Sequence, residues 1–275
     1  MSAATELDTG TDQLLTRLED GVAVITLNRP EVRNALGDVV SPALRRMIAR
    51  LRDEPAARCV VLTGAGTAFC AGGDVKGMSE GAPREARPSV DEVIRDQTER
   101  QQALTGALYA LPKPTIAALP GPAAGAGLSI ALACDLRIAA RSAFVTTGFA
   151  NIGLSGDYGA SFFLTQLVGA ATARELFLTA ERVDAARCER LGIVSRVVPD
   201  EQLMDETMAL ARRLAAGPTV AYGIMKENLD RALRSDLPTC LAEEAKGIVR
   251  TAGTHDHREA VRAFIAKRPP KFEGR

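Results

Sequence analysis

The chain has no surplus charge, few histidines, no paired cysteines and no long apolar run, and each lack removes a class of function. Its 34 Lys and Arg balance 34 Asp and Glu, so the net charge gives no reason to expect nucleic acid or an anionic membrane as partner. No apolar stretch approaches the ~20 residues that span a bilayer. The opening MSAATELDTGTDQ has neither the basic start nor the apolar core of a secretory signal and is too acidic for a transit peptide; residues 1–12 are expected to be a flexible tail. Cys59, Cys70, Cys134, Cys188 and Cys240 are widely spaced without a CxxC pair. That spacing supports neither a zinc site nor a disulfide framework and suits a reducing cytoplasm. His255 and His257, in GTHDHRE, have too few candidate ligands nearby for a metal site, so no metal is expected.

What is present suits an α/β protein. With 275 residues, 46% hydrophobic and 25% charged, the chain can form one large domain or a domain with an appendage. LLTRLEDGVAVITLNRP, residues 14–30, reads as a hairpin turning at Asp20-Gly21. Residues 36–55 show helical spacing, with Val40, Leu44, Met47, Ile48 and Leu51 on one side. CVVLTG (59–64), TIAAL (115–119) and LRIAA (136–140) read as strands, with a long helix over about 91–111 and a short apolar helix in SIALACD. Residues 79–90 read as a mobile loop. A mainly helical stretch follows from Gly159, with a strand at IVSRVV (193–198) and helices near 200–216, 218–234, 236–250 and 256–267. The expected division is an α/β core over 13–199 and a helical region over 200–275. Alternation of strands and helices with small-residue loops favours ligand binding at strand ends.

Four short motifs offer chemistry, each beside a plainer reading. FCAGGDVKG (69–77) leaves backbone N–H groups free to stabilise an oxyanion, or is a tight turn. GPAAGAGLSI (121–130) presents the unpaired N–H groups of a helix start, or packs a helix close to a strand. It is not a dinucleotide fingerprint: Ile130 stands where a third small residue belongs, and Asp135 comes far too soon for a ribose-binding acid. GMSEG (77–81) matches a nucleophile elbow at Ser79 but lacks the strand before it and the helix after it. Asp157, the one charge in NIGLSGDYGA, is either a helix N-cap or a carboxylate in an apolar pocket poised to move a proton. Alone, the cap is the favoured reading.

Together the segments resemble the enoyl-CoA hydratase/isomerase, or crotonase, family. The resemblance runs from about Leu15 to Arg275 and rests on LNRPEVRNAL (27–36), AFCAGGDVKGM (68–78), KPTIAALPGPAAGAGLSIALACDLRIA (113–139), IGLSGDYG (152–159), LTAERVDAARCERLGIVSRVVP (178–199) and AFIAKRPPKF (263–272). It implies a spiral of strand–strand–helix turns with a C-terminal helical region that builds a homotrimer or a dimer of trimers. It also implies an acyl-CoA thioester as substrate, with no further cofactor. By position, the two backbone donors that polarise the thioester carbonyl match Gly73 and Ala126. CoA and substrate contacts fall on Arg33, Ala35, Ala71, Gly72, Asp74, Val75, Lys76, Gly125 and Phe149, and on Phe264 and Lys267, which in the family often reach a neighbouring subunit's CoA.

The departures from the family pattern bear on the reaction. The two glutamates with which hydratases activate water fall on Ser129 and Phe149, and neither side chain is a general base. Asp157 stands where members that shift double bonds, and one aryl-CoA dehalogenase, carry an Asp. The resemblance is closest to the Asp-type isomerases, such as those of the phenylacetate pathway, and implies an enoyl-CoA isomerase working through Asp157. Three other readings stay open: a hydratase using Asp157 and water, a non-catalytic acyl-CoA-binding protein, and, more remotely, a hydrolase through Ser79.

Overall fold

The computed structural model describes residues 4–74 and 88–275. Val75, Lys76, Ser79 and most of the expected loop at 79–90 lie outside the described residues. The hairpin forms as its turn residues dictate. Strands β2 (Leu14–Glu19) and β3 (Val22–Leu27) pair antiparallel, and both Asp20 (φ 48°) and Gly21 (φ 79°) take the left-handed conformation that a tight two-residue hairpin requires. The expected flexible tail is partly a strand: β1 (Thr5–Glu6) pairs antiparallel with β2. Its backbone finds partners on the open edge of β2.

From β3 onward the sheet is parallel. β4 (Cys59–Gly64), β5 (Thr115–Leu119), β7 (Leu136–Ala140) and β10 (Arg196–Val198) complete a seven-stranded sheet in the order β1-β2-β3-β4-β5-β7-β10. Strand β4 is buried at every position, which explains its uninterrupted apolar sequence. Strands β6 (Ala123–Ala124), β8 (Phe144–Thr146) and β9 (Val183–Asp184) form a second, three-stranded sheet. Among the described residues a mixed α/β part is followed by helices to the C-terminus.

Helix α1 (Val40–Asp53) crosses between β3 and β4. It buries Val40, Leu44, Met47, Ile48 and Leu51, as the spacing predicts, and each such fully buried side chain contributes about 1.5–3 kcal/mol. The helix starts later than the sequence suggests because the Leu36 backbone pairs with the loop after β4: its N–H donates to Gly72 O at 2.7 Å and its carbonyl accepts from Asp74 N at 2.9 Å. At the other end, buried Lys113 donates to the carbonyls of Leu51 and Glu54, both at 2.6 Å, satisfying the C-terminal acceptors of α1.

Helix α2 runs through Val90–Gln101, a π turn over Gln102–Gly106, and Ala107–Tyr109. Ser89 and Glu92 close its start with a capping box. Helix α3 (Ala126–Ala133) is buried along its whole length. Helix α4 (Ala160–Thr179) follows, broken at Gly169, whose φ of 76° and ψ of 164° are not helical. A short α5 (Ala185–Arg190) leads to β10, which is only the end of the expected strand at 193–198, because Ile193 and Val194 instead donate to Cys188 O. The chain finishes with α6 (Leu203–Ala215), packed on the sheet, then α7 (Thr219–Ala232), α8 (Leu237–Ala252) and α9 (His255–Ile265). No helix among the described residues is long and apolar enough to cross a membrane.

Candidate active site

Two strand-end loops meet at the site. After β4 the chain runs through Cys70 to Asp74, and after β5 it runs through Pro120 to Gly125. They are joined by Ala124 N donating to Cys70 O at 3.0 Å. Close approach demands glycine here. Gly72 has φ of 95°, and a Cβ on it would lie 2.9 Å from Ala124 O and 3.6 Å from Ala126 N. A Cβ on Gly127 would overlap the Cys70 carbonyl. The expected close packing of this helix is found against a loop and not against a strand, and it serves the other reading. It brings Gly73 beside Ala126, the first residue of α3, where the N–H has no intrahelical partner and the helix dipole favours negative charge. Among the described residues no acceptor takes the N–H of Gly73 or of Ala126.

A cavity of about 410 Å³ opens at this point. Gly73, Ala126 and Asp157 share its wall with residues that include Gly37, Asp38, Arg45, Gln97, Arg100 and Tyr158. Asp157 is not a helix cap: α4 starts after Gly159, with no side-chain cap. The Asp157 carbonyl, not its carboxylate, accepts from Ala160 N at 3.1 Å. One carboxylate oxygen, Oδ1, is buried and without a partner among the described residues. Burial pushes the carboxyl pKa up to about 6, because loss of water disfavours the charged form.

The positions aligned with the two glutamates have structural work. Ser129, fully buried in α3, donates to Asp157 O at 3.0 Å. Phe149 is buried, stacks on Phe177 at 6.1 Å between ring centroids, and packs behind Gly125 and Gly156. It backs the Asp157 loop and is not among the described residues on this cavity's wall.

The other expected residues divide. Arg33 is exposed in the left-handed region (φ 52°), and its carbonyl accepts from Ala71 N at 3.0 Å. Ala35 O accepts from Arg29 Nη1 at 2.7 Å, and Arg29 also pairs with Asp74 at 3.4 Å. Gly125 N donates to Thr146 O at 3.2 Å. These residues, with Gly72, form one rim around Gly73. Phe264 and Lys267 are exposed at the end of α9 and take no part in the cavity of their own chain. Asn34 passes unnoticed in the sequence. Its side chain donates to Ala65 O and Ala68 O and accepts from Arg29 N, which locks the rim. Arg45 and Arg100 also escape a sequence reading, since on helices they look like ordinary solvated charges. The four cysteines in the core are buried and unpaired, and burial pushes the thiols of Cys59, Cys70, Cys134 and Cys188 up to about 12.

A parallel-sheet core that brings two N–H groups without a described acceptor and a half-buried carboxylate to one cavity can stabilise an oxyanion and move a proton there. Residues 17–275 match the enoyl-CoA hydratase/isomerase family, and the chain belongs to that family, a group of crotonase-superfamily enzymes. It is 37% identical over 266 residues to the 1,2-epoxyphenylacetyl-CoA isomerase of Escherichia coli, covering 95% of this chain and 98% of that one. It is 40% identical over 259 residues to a Rhodobacter capsulatus protein named "Probable enoyl-CoA hydratase", covering 94% and 96%. A crystal structure of an enoyl-CoA hydratase from Polaromonas superposes with a TM-score of 0.85 at 33% identity, covering 98% of this chain and all of that one, 100%.

Proposed function

We propose that the protein is an enoyl-CoA isomerase that shifts a double bond along the acyl chain with Asp157 as the only proton carrier. The observation that carries this reading is the shared cavity: Gly73, Ala126 and Asp157 line it together, no described acceptor takes either N–H, and one oxygen of Asp157 is buried without a partner. The positions of the hydratase glutamates, meanwhile, hold Ser129 and Phe149.

The thioester oxygen accepts from Gly73 N–H and Ala126 N–H. Ionised Asp157 removes a proton from the carbon next to the thioester, and that C–H electron pair becomes the enolate, its charge resting on the oxygen between the two donors. The neighbouring double bond conjugates with the enolate. The proton on Asp157 returns two carbons further along as the enolate collapses, so the double bond moves and nothing is gained or lost. A carboxyl whose pKa is raised toward neutrality suits both halves, stronger than an ordinary carboxylate as a base and still able to give the proton back. No cofactor takes part in this step; the CoA thioester is the substrate.

Assembly into a trimer or a dimer of trimers is part of the proposal. Leu229, Leu237, Ile248, Phe264 and Ile265 are exposed on the C-terminal helices, more apolar surface than a solitary chain usually leaves in water. A cytoplasmic setting suits the unpaired cysteines. The names of the relatives include a hydratase beside an isomerase, so a second reading is hydration of an enoyl-CoA through Asp157 and one water. A panel of acyl-CoA thioesters in deuterated water, read by mass spectrometry, separates the two. Deuterium incorporation with double-bond movement is expected, lost on Asp157→Asn. Formation of a 3-hydroxyacyl-CoA indicates the hydratase. Binding without any exchange indicates neither reaction.

A further inference from the structure

The peptide unit joining Asp157 to Tyr158 is held at both ends by side chains from two different helices. Its carbonyl accepts from Ser129 Oγ of α3 at 3.0 Å, and its N–H donates to Gln101 Oε1 of α2 at 2.6 Å. The same carbonyl also accepts from Ala160 N at 3.1 Å, so both of its lone pairs are used. Ser129 Oγ lies farther, 3.2 Å, from its own helical acceptor, Gly125 O.

The backbone here needs holding. Gly156 (φ 110°), Tyr158 (φ 50°) and Gly159 (φ 78°) all lie in the left-handed region. Two of them are glycines, but Tyr158 has a Cβ and an aromatic ring, and such residues rarely adopt this conformation without an external constraint. Rotation of the 157–158 peptide plane would relieve Tyr158 by changing its φ together with the ψ of Asp157, and it would break both side-chain anchors, releasing the loop that carries the carboxylate. The two anchors are themselves tied to the cavity. Ser129 lies one turn along α3 from Ala126, and Gln101 follows Gln97 and Arg100 of the cavity wall on α2. Gln101 is also the last residue before the π turn, and such turns gather at functional sites because they re-aim a helix.

We infer that Ser129 and Gln101 are positioning residues that clamp the Asp157–Tyr158 peptide and so fix the Asp157 carboxylate against the two N–H donors. This rests on Asp157 being the proton carrier. Ser129, at a position where hydratases carry a carboxylate, thus acts on the backbone of the carboxylate that replaces it.

The test compares Ser129→Ala, Gln101→Met, the double variant, the acceptor-keeping Gln101→Glu and the control Asp157→Asn. Each is assayed for turnover of an enoyl-CoA that the wild type accepts, as kcat and KM across pH 5–9. The expected result is a fall in kcat of about tenfold or more for each single variant, with KM within about threefold. The acid limb of the kcat profile should move, and Gln101→Glu should recover part of the rate. Because both groups hold one peptide, the double variant should fall little below the worse single one. If Asp157→Asn is inactive while Gln101→Met keeps the wild-type kcat and pH profile, the clamp is wrong and the proton carrier stands. If Asp157→Asn is active, the proton carrier itself is wrong. Gln101 is only half buried, so Gln101→Met decides the matter even where Ser129→Ala does not fold. Strictly additive losses, confined to KM, would also overturn the clamp.

Discussion

The guanidinium of Arg137 lies 2.6 Å from the carbonyl oxygen of Cys134, the residue that ends α3. The same side chain donates from Nε to Ile193 O at 2.6 Å and reaches Leu132 O at 3.3 Å. A buried cation therefore closes the C-terminal end of the helix whose N-terminal end offers Ala126 N–H to the cavity. The charge matches the negative end of the helix dipole, and the carbonyls replace the water lost on burial. Arg137→Met keeps the volume but orphans these acceptors. It should lower stability by about 2–4 kcal/mol, measured by urea unfolding; an unchanged midpoint would show that the carbonyls find other donors.

The raised pKa of Asp157 makes two linked pH predictions. Base removal of a proton needs the carboxylate, so kcat/KM should rise with pH through a midpoint of about 6, where the group is half ionised, and then level off. Stability should respond in the opposite sense. The folded-state pKa lies above the ordinary carboxylate value, so between about 4 and 6 the native state holds more protons than the unfolded one, and stability falls as pH rises through that window. Asp157→Asn removes this cost. The variant should gain about 1–2 kcal/mol at pH 8, the partly open site softening the penalty, and very little at pH 4. Thermal unfolding of both proteins at the two pH values checks the sign.

The two loop positions at the oxyanion pair should behave oppositely on substitution. Ala126 contributes through its backbone N–H, so Ala126→Gly should leave turnover within a few-fold of wild type. Gly72→Ala places a Cβ 2.9 Å from Ala124 O at a φ of 95°, and the loop must shift, carrying the Gly73 N–H with it. The loss should be about 10²–10³-fold in kcat, the usual effect of one misplaced oxyanion donor. Steady-state kinetics on the two variants measures both. Equal effects would mean that side-chain bulk, not the donor, matters at this place.

Much of this arrangement is legible in the sequence where short-range chemistry decides. The hairpin follows from Asp20-Gly21, the buried face of α1 from its spacing, and β4 from its apolar run. The second sheet escapes because its strands are two or three residues long, too short for any periodicity to register. The late start of α1 depends on Leu36 pairing with Gly73, 37 positions away. At the site, the family resemblance groups Gly73, Ala126 and Asp157, whereas Asp157 read alone looks like a cap because Asp before a helix usually is one. Only the tertiary fold shows that Asp157 lines a cavity and that Ser129 and Gln101 hold its backbone. Partners 28 and 57 residues apart leave no local signature.

Phe149 provides a last test of that division between backing and wall. Its ring stacks on Phe177 with an interplanar angle of 18° and lies 3.7 Å from where a Cβ on Gly125 or on Gly156 would sit. It therefore supports the oxyanion loop on one side and the Asp157 loop on the other. Phe149→Ala should cost about 3–5 kcal/mol through the cavity it leaves and lower kcat as both loops loosen. Phe149→Leu fills most of the space and should recover most of both losses. Because Phe149 stands behind the wall, neither variant should change the order of preference among acyl-CoA substrates, read as relative kcat/KM across a chain-length panel. A reordered preference would place the ring in contact with substrate after all.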